Sequence, residues 1–291
     1  MKKIIFFFLD GFGLAPAGHD NYFSGIAGLQ SGLPVLGYSN FFGRSGITAA
    51  DACLGVPGFP QSATGQTSLF TGINSQKELG CHKHGFPGKT LGDIIDSGNI
   101  LIDSKSSGYK PCFANAFSEK YFEDVYKGRR KHSVTTRCAI SAGLDFMTEE
   151  DLVLGNSVYW DITGKGYPSE KENFIDPEEA AGRLIRLLER FDLVLFESIL
   201  TDRAGHLANR DYAEETARIL SAFIKKLMRE ADLRDYTFLL TSDHGNAEDI
   251  STKGHTMNSV PVISAGKGCE LFMNIKDITE VRKKMNDFWR K

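Results

Sequence analysis

Residues Tyr236 to Ile263 read YTFLLTSDHGNAEDISTKGHTMNSVPVI. An apolar run, Phe238 to Leu240, breaks off into Thr241, Ser242, Asp243 and His244. A short apolar run bounded by a polar, glycine-containing turn reads as a buried strand whose carboxyl end leaves a sheet. In open α/β sheets ligands bind at the carboxyl ends of the strands, so an adjacent carboxylate and imidazole there are aimed at one small charged object. A metal ion is the natural candidate. His255 follows after a loop rich in Gly, Ser, Thr and Asp, and a second apolar strand starts at Val260.

At 291 residues the chain is long for one domain but ordinary for an α/β fold. A single domain over residues 1–291 with a small insertion is the expectation. A charged fraction of 24% and a net charge of -3 speak against a polyanion-binding surface, so nucleic acid is not an expected partner. Five cysteines, an odd number without C-x-x-C spacing, argue against a disulfide framework or a thiolate zinc site and suit reduced core residues in the cytoplasm. The N-terminal MKKIIFFFLDG has an apolar run of only Ile4 to Leu9, too short for a signal peptide. No stretch approaches the roughly 18 apolar residues of a membrane span.

Ile4 to Leu9 is therefore a first buried strand, and it too ends in a carboxylate, Asp10, followed by Gly11, Phe12 and Gly13. A Gly-rich connection, about Leu14 to Gly46, reads as loops with short helical pieces. In QSATGQTSLFTG, Gln61 to Gly72, Ser62 reads as a helix N-cap, where the backbone N–H groups and helix dipole favour negative charge. The loop Glu78 to Thr90 and the basic residues Arg129, Arg130, Lys131 and Arg137 are candidate contacts for an anionic substrate. Residues 119–166 form a candidate lid insertion. Asp176 with Pro177 starts a helix, Leu193 to Phe196 is a further strand, and the SILTDRAGH that follows carries Asp202 and His206 in a glycine-containing loop. A long amphipathic helix, about Asp211 to Ala231, leads to the strand quoted first, and a last helix covers about Asp277 to Trp289.

Alternating strands and helices predict a mostly parallel sheet flanked by helices on both faces. In such a sheet Asp10, Asp202 with His206, Asp243 with His244, and His255 share one edge. Three carboxylates crowded together repel one another unless cations sit between them. Oxygen and nitrogen donors of this kind suit two Mn2+ or Zn2+ ions, and the imidazoles argue against calcium.

The order of D-G near the N-terminus, a hydroxyl residue at a helix start, D-x-x-x-H, D-H-G-N-A-E and H-T-x-N-x-V-P resembles the alkaline phosphatase superfamily. The resemblance is greatest to its branch containing cofactor-independent phosphoglycerate mutase and phosphopentomutase. It covers about Lys2 to Gly72 and Phe191 to Ile263. It implies that Asp10, Ser62, Asp243 and His244 hold one metal, and Asp202, His206 and His255 the other. In this superfamily the nucleophile precedes a helix glycine by ten positions, so Gly72 points back to Ser62; Thr64 is the alternative. Residues 76–166 are too few for the large domain that the mutases insert.

The expected function is phosphoryl transfer at two metals on a small phosphorylated substrate, most simply a phosphatase working through a phosphoserine. The alternatives are a phosphomutase, a phosphodiesterase, or a non-catalytic metal-binding module. Nothing in the sequence indicates a membrane partner or an oligomeric state.

Overall fold

Alternation along one strand sets the architecture. In β1 (Ile4–Leu9) every residue is buried, with Ile4, Phe6 and Phe8 in one hydrophobic cluster and Ile5, Phe7 and Leu9 in another. A strand buried on both sides must be covered by an element on each face of its sheet, and the helices divide accordingly. The computed structural model describes residues 2–16, 18, 20–24, 37–38, 44–167 and 174–290. The Gly-rich connection 14–46 lies largely outside them.

The strands are β1, β2 (Gly37–Tyr38), β3 (Ser45–Ala50), β4 (Pro111–Phe113), β5 (Leu193–Ser198), β6 (Thr237–Thr241) and β7 (Val260–Gly266). They form one sheet in the order β2-β3-β7-β6-β1-β5-β4. The pairs β4·β5, β5·β1 and β1·β6 are parallel, whereas β7 runs antiparallel to both β6 and β3. The sheet is mixed and mostly parallel, as the alternation of elements predicts.

The helices are α1 (Ser62–Thr71), α2 (Ser75–Leu79), α3 (Gly88–Ser97), α4 (Ile100–Ser106), α5 (Glu119–Tyr126), α6 (Val134–Ser141), α7 (Glu149–Val153), α8 (Pro177–Leu187), α9 (Leu200–Leu207), α10 (Arg210–Leu233) and α11 (Glu280–Arg290). Residues of α8, α9 and α10 join Ile5, Phe7 and Leu9 on one face. Residues of α1, α3, α4, α6 and α11 join Ile4, Phe6 and Phe8 on the other. Phe7 packs between Phe196 of β5 and Phe223 of α10, with ring centroids 5.6 and 5.2 Å away. Such aromatic pairs add stabilisation beyond their burial and hold β1 at the centre of the sheet.

Within residues 119–166 the packing divides. α5 buries no residue, whereas α6 sends Val134, Cys138 and Ala139 into the core. The five cysteines are unpaired, and Cys112, Cys138 and Cys269 are buried. No helix among the described residues is long and apolar enough to cross a membrane.

Candidate metal centre

Adjacent parallel strands end at the same edge, and β5, β1 and β6 are adjacent. Asp10 follows β1 directly, and Asp243 and His244 follow β6. β1 lies at the reversal of strand order, with β5 on one side and β6 on the other, where an open α/β sheet leaves a crevice. His255 arrives differently from the sequence expectation. It precedes β7, whose antiparallel course makes that strand begin at this edge.

Asp202 and His206 also differ from expectation: they sit on α9, not in a loop. A separation of four residues on a helix places both side chains on one face. The helix tolerates Gly205 because a Cβ there would lie 2.0 Å from Asn246 Oδ1. Ser62 is the first residue of α1, and Gln61, with extended backbone, is the N-cap.

Asp10, Asp243 and His244 are buried, and each offers a ligand atom within 4.8 Å of the others. His244 Nε2 lies 3.3 Å from Asp10 Oδ1, 3.5 Å from Asp243 Oδ2 and 3.0 Å from Ser62 Oγ. One oxygen of each carboxylate is anchored. Gln66 Nε2 donates to Asp10 Oδ2 at 3.0 Å, and the Gly11 N–H donates to Asp243 Oδ1 at 3.3 Å. The other two oxygens, Asp10 Oδ1 and Asp243 Oδ2, are buried and accept no hydrogen bond. Buried acceptors without partners are costly, and a cation between them removes the penalty.

Asp202, His206 and His255 form a second group of the same size. Both imidazoles place Nε2 3.4 Å from Asp202 Oδ1. His255 Nδ1 lies 2.7 Å from the Pro60 carbonyl and donates to it, which leaves Nε2 as the ligand atom. Asn246 Nδ2 donates to Asp202 Oδ1 at 2.8 Å. The rings of His244 and His255 stack with centroids 3.8 Å apart, so the two groups adjoin.

The electrostatics show the same strain. Burial, then the charge of Asp243, raises the Asp10 carboxyl to about 7. Burial likewise raises Asp243. Burial alone would lower His244, but Asp243, Asp10 and Asp202 overcome it and raise the imidazole to about 10. Asp202 is lowered to about 2, because hydrogen bonding to His255 and the neighbouring charges outweigh its burial. The protein thus holds an imidazolium among carboxylates where a divalent ion would serve better. Three carboxylates, three imidazoles and a hydroxyl, with orphaned oxygens aimed inward, fit divalent cations.

Two candidates for the hydroxyl are separated by their surroundings. Ser62 Oγ faces His244, whereas Thr64 Oγ1 accepts the Lys83 N–H at 3.1 Å and donates to the Gln61 carbonyl at 3.2 Å. Of the basic residues, Arg130 and Lys131 line a cavity beside the centre. Arg137 does not; it forms an ion pair with Asp96, at 3.0 and 2.6 Å.

Sequence reasoning missed Gln66, Asn246 and Glu248. Glu248 is 2% exposed and accepts hydrogen bonds on both oxygens. One oxygen takes the Gly13 and Asn246 N–H groups at 2.9 and 2.8 Å; the other takes the Thr256 hydroxyl and, at 3.1 Å, Asn258 Nδ2. It ties together the loops after β1, after β6 and before β7. Asn246 and Glu248 lie inside the DHGNAE stretch, where their proximity to Asp243 was the available signal. Gln66 carried none.

The profile of the Metalloenzyme superfamily matches residues 130–286, more than half of the chain. The 2,3-bisphosphoglycerate-independent phosphoglycerate mutase of Ehrlichia canis is 25% identical over 113 residues, covering 33% of this chain and 23% of that protein. The Helicobacter pylori protein of the same name is 29% identical over 111 residues, covering 34% and 23%. These matches therefore span about a quarter of the relatives' length. Among solved structures, the cold-active alkaline phosphatase of a psychrophilic Shewanella superimposes with a TM-score of 0.60 at 15% identity, covering 99% of this chain and 100% of that one. The alkaline phosphatase of the Antarctic bacterium TAB5 gives 0.56 at 14% identity, covering 99% of both chains. At such identity the likeness shows a shared fold.

Proposed function

The chain belongs to the Metalloenzyme superfamily, and from that premise we propose that it is a two-metal phosphoryl-transfer enzyme in which Ser62 carries the phosphoryl group. The observation that supports this most is the position of Ser62 Oγ, 3.0 Å from His244 Nε2 beside two unpartnered carboxylate oxygens. Asp10, Ser62, Asp243 and His244 hold one ion; Asp202, His206 and His255 hold the other. Bound Mn2+ or Zn2+ ions would supply positive charge that favours the serine alkoxide and neutralises the phosphate oxygens.

The chain's own residues set up the reaction around that charge. Ser62 starts α1, where the helix dipole favours an anion, and Oγ forms a bond to phosphorus as the bond from phosphorus to the leaving oxygen breaks. The serine proton is balanced by the alcohol that leaves. Water then takes the phosphoryl group from Ser62 and releases inorganic phosphate. Gln66 and the Gly11 N–H orient the carboxylates, and Asn246 orients Asp202.

We favour hydrolysis of a small phosphomonoester over internal return of the phosphoryl group. A mutase must exclude water while its intermediate turns over, which calls for a large mobile cover. Among the described residues the stretch suited to that role is 119–166, and part of it is tied into the core through α6. The second reading, a phosphomutase, draws on the names of the curated relatives. On the same reading the chain is one domain and acts in the cytoplasm, to which its unpaired cysteines are suited.

Two assays test the reading. Hydrolysis of p-nitrophenyl phosphate should depend on added manganese or zinc; no hydrolysis with either ion would count against an enzyme. Phosphorus NMR on sugar and glycerate phosphates should show free phosphate; an isomerised ester without free phosphate would establish the mutase instead.

A further inference from the structure

A cavity of about 210 Å³ lies at the carboxyl end of β5, with Glu197 and Ile199 in its lining. Ile199 is three residues before Asp202, and the Asp10 N–H donates to the carbonyl of Ser198 at 2.9 Å. The cavity therefore adjoins the centre where the phosphate is held on the reading above. Its wall is strongly aromatic: Phe86, Tyr121, Tyr159 and Trp160 all contribute. Tyr159 and Trp160 pack at 5.6 Å between ring centroids, and the Arg130 guanidinium lies 5.1 Å from the Tyr121 ring. The Arg203 guanidinium, on α9 next to Asp202, lies 5.8 Å from the Trp160 ring and links this wall to the metal-bearing helix.

We propose that this cavity receives the alcohol portion of the substrate and that this portion carries a planar aromatic ring. The inference rests on the phosphoryl-transfer reading and deepens it. A short hydroxy acid or polyol is well hydrated and gains less from aromatic walls than a flat ring does. A flat ring gains from burial and from stacking, and the guanidiniums reinforce the ring faces they cover. At about 210 Å³ the space is below the roughly 300 Å³ at which pockets for drug-sized ligands begin, so it takes one ring system and no long chain. Phe86, 44% exposed, is a large apolar side chain at the surface that a stacked ring would cover.

Adenosine 5′-monophosphate and ribose 5-phosphate are both esters of a ribose 5-hydroxyl, and their alcohol portions differ by the base. With the metal-loaded protein, kcat/KM for the nucleotide should exceed that for the sugar phosphate about tenfold or more, the scale of one base stacked on an aromatic side chain. Phe86→Ala, at an exposed site, should close much of that gap by raising KM for the nucleotide far more than KM for ribose 5-phosphate. The chain has two tryptophans, Trp160 in this wall and Trp289 buried in the core, so adenosine alone should quench Trp160 fluorescence. Trp160→Phe should remove that response. Equal rates for the two esters together with no quenching would overturn the cavity's role while leaving phosphoryl transfer standing. Quenching by adenosine with no turnover of any phosphoester would support the cavity and overturn the reaction.

Discussion

Replacing Glu248 by glutamine changes one atom at the junction of three ligand-bearing loops. The carboxylate faces four donors: the Gly13 and Asn246 N–H groups, the Thr256 hydroxyl and Asn258 Nδ2. Glutamine keeps one acceptor oxygen and points an NH2 group at two of those donors. The Thr256 hydroxyl can rotate to accept, so the amide will turn its nitrogen towards Thr256 and Asn258. Hydrogen bonds to a charged group contribute about 1.5–3 kcal/mol each against about 0.5–1.5 kcal/mol for neutral ones. Two bonds weakened and one donor left facing a donor give an expected loss of about 3 kcal/mol. Thr256 is the neighbour of His255, and Asn246 orients Asp202, so metal affinity should fall as well, by about 10–100-fold as for other partners of ligands. Urea unfolding of the chelated protein reads the first effect, and metal titration of the folded protein reads the second. Stability within about 0.5 kcal/mol of the parent, together with unchanged metal affinity, would refute the role assigned to Glu248.

Gly65→Ala should lower activity more than about tenfold and destabilise by about 1–3 kcal/mol despite alanine's better helix propensity. A Cβ there would sit 2.7 Å from the Asp243 carbonyl oxygen, and backbone cannot yield, so α1 and Ser62 must shift; full activity would contradict this. In the metal-free protein, Asp10, Glu197 and His244 are raised to about 7, 8 and 10, so the folded state binds their protons more tightly than the unfolded chain. Stability from these groups is complete below the unfolded values, about 4 for the carboxyls and about 6.5 for the imidazole, and is lost as pH rises through the folded ones. Asp202, lowered to about 2, acts oppositely, and only at acid pH. Chelated protein should therefore show a Tm that falls between about pH 5 and about pH 9, while in metal-loaded protein, whose ligands are deprotonated by binding, only the smaller part due to Glu197 should remain. A metal-free Tm that rises over that range would refute the placement of these charges.

The fold was legible because its central strands are apolar runs that stop at a charged residue, as Leu9 stops at Asp10. That break places both the strand and its end. Directions were not legible: nothing in Val260 to Ile263 distinguishes an antiparallel strand from a parallel one, yet the direction of β7 decides how His255 reaches the centre. The helix carrying Asp202 and His206 was hidden by Gly205, which lowers local helix propensity and is required by contact with Asn246, a tertiary reason. Gln66 is one of six polar residues in the ten of α1, and only the packed structure shows that it holds Asp10. The aromatic wall was illegible for the same cause. Phe86, Tyr121 and Trp160 come from separate loops and helices with no shared period.

The central claim is that Ser62 carries the phosphoryl group between substrate and acceptor. Acid quenching during turnover of a phosphomonoester by metal-loaded protein, followed by peptide mass spectrometry, tests it directly. A phosphoryl group on Ser62, absent when metal is chelated and absent in Ser62→Ala, is the predicted result. Steady turnover by Ser62→Ala, or the label on Thr64 instead, would contradict it.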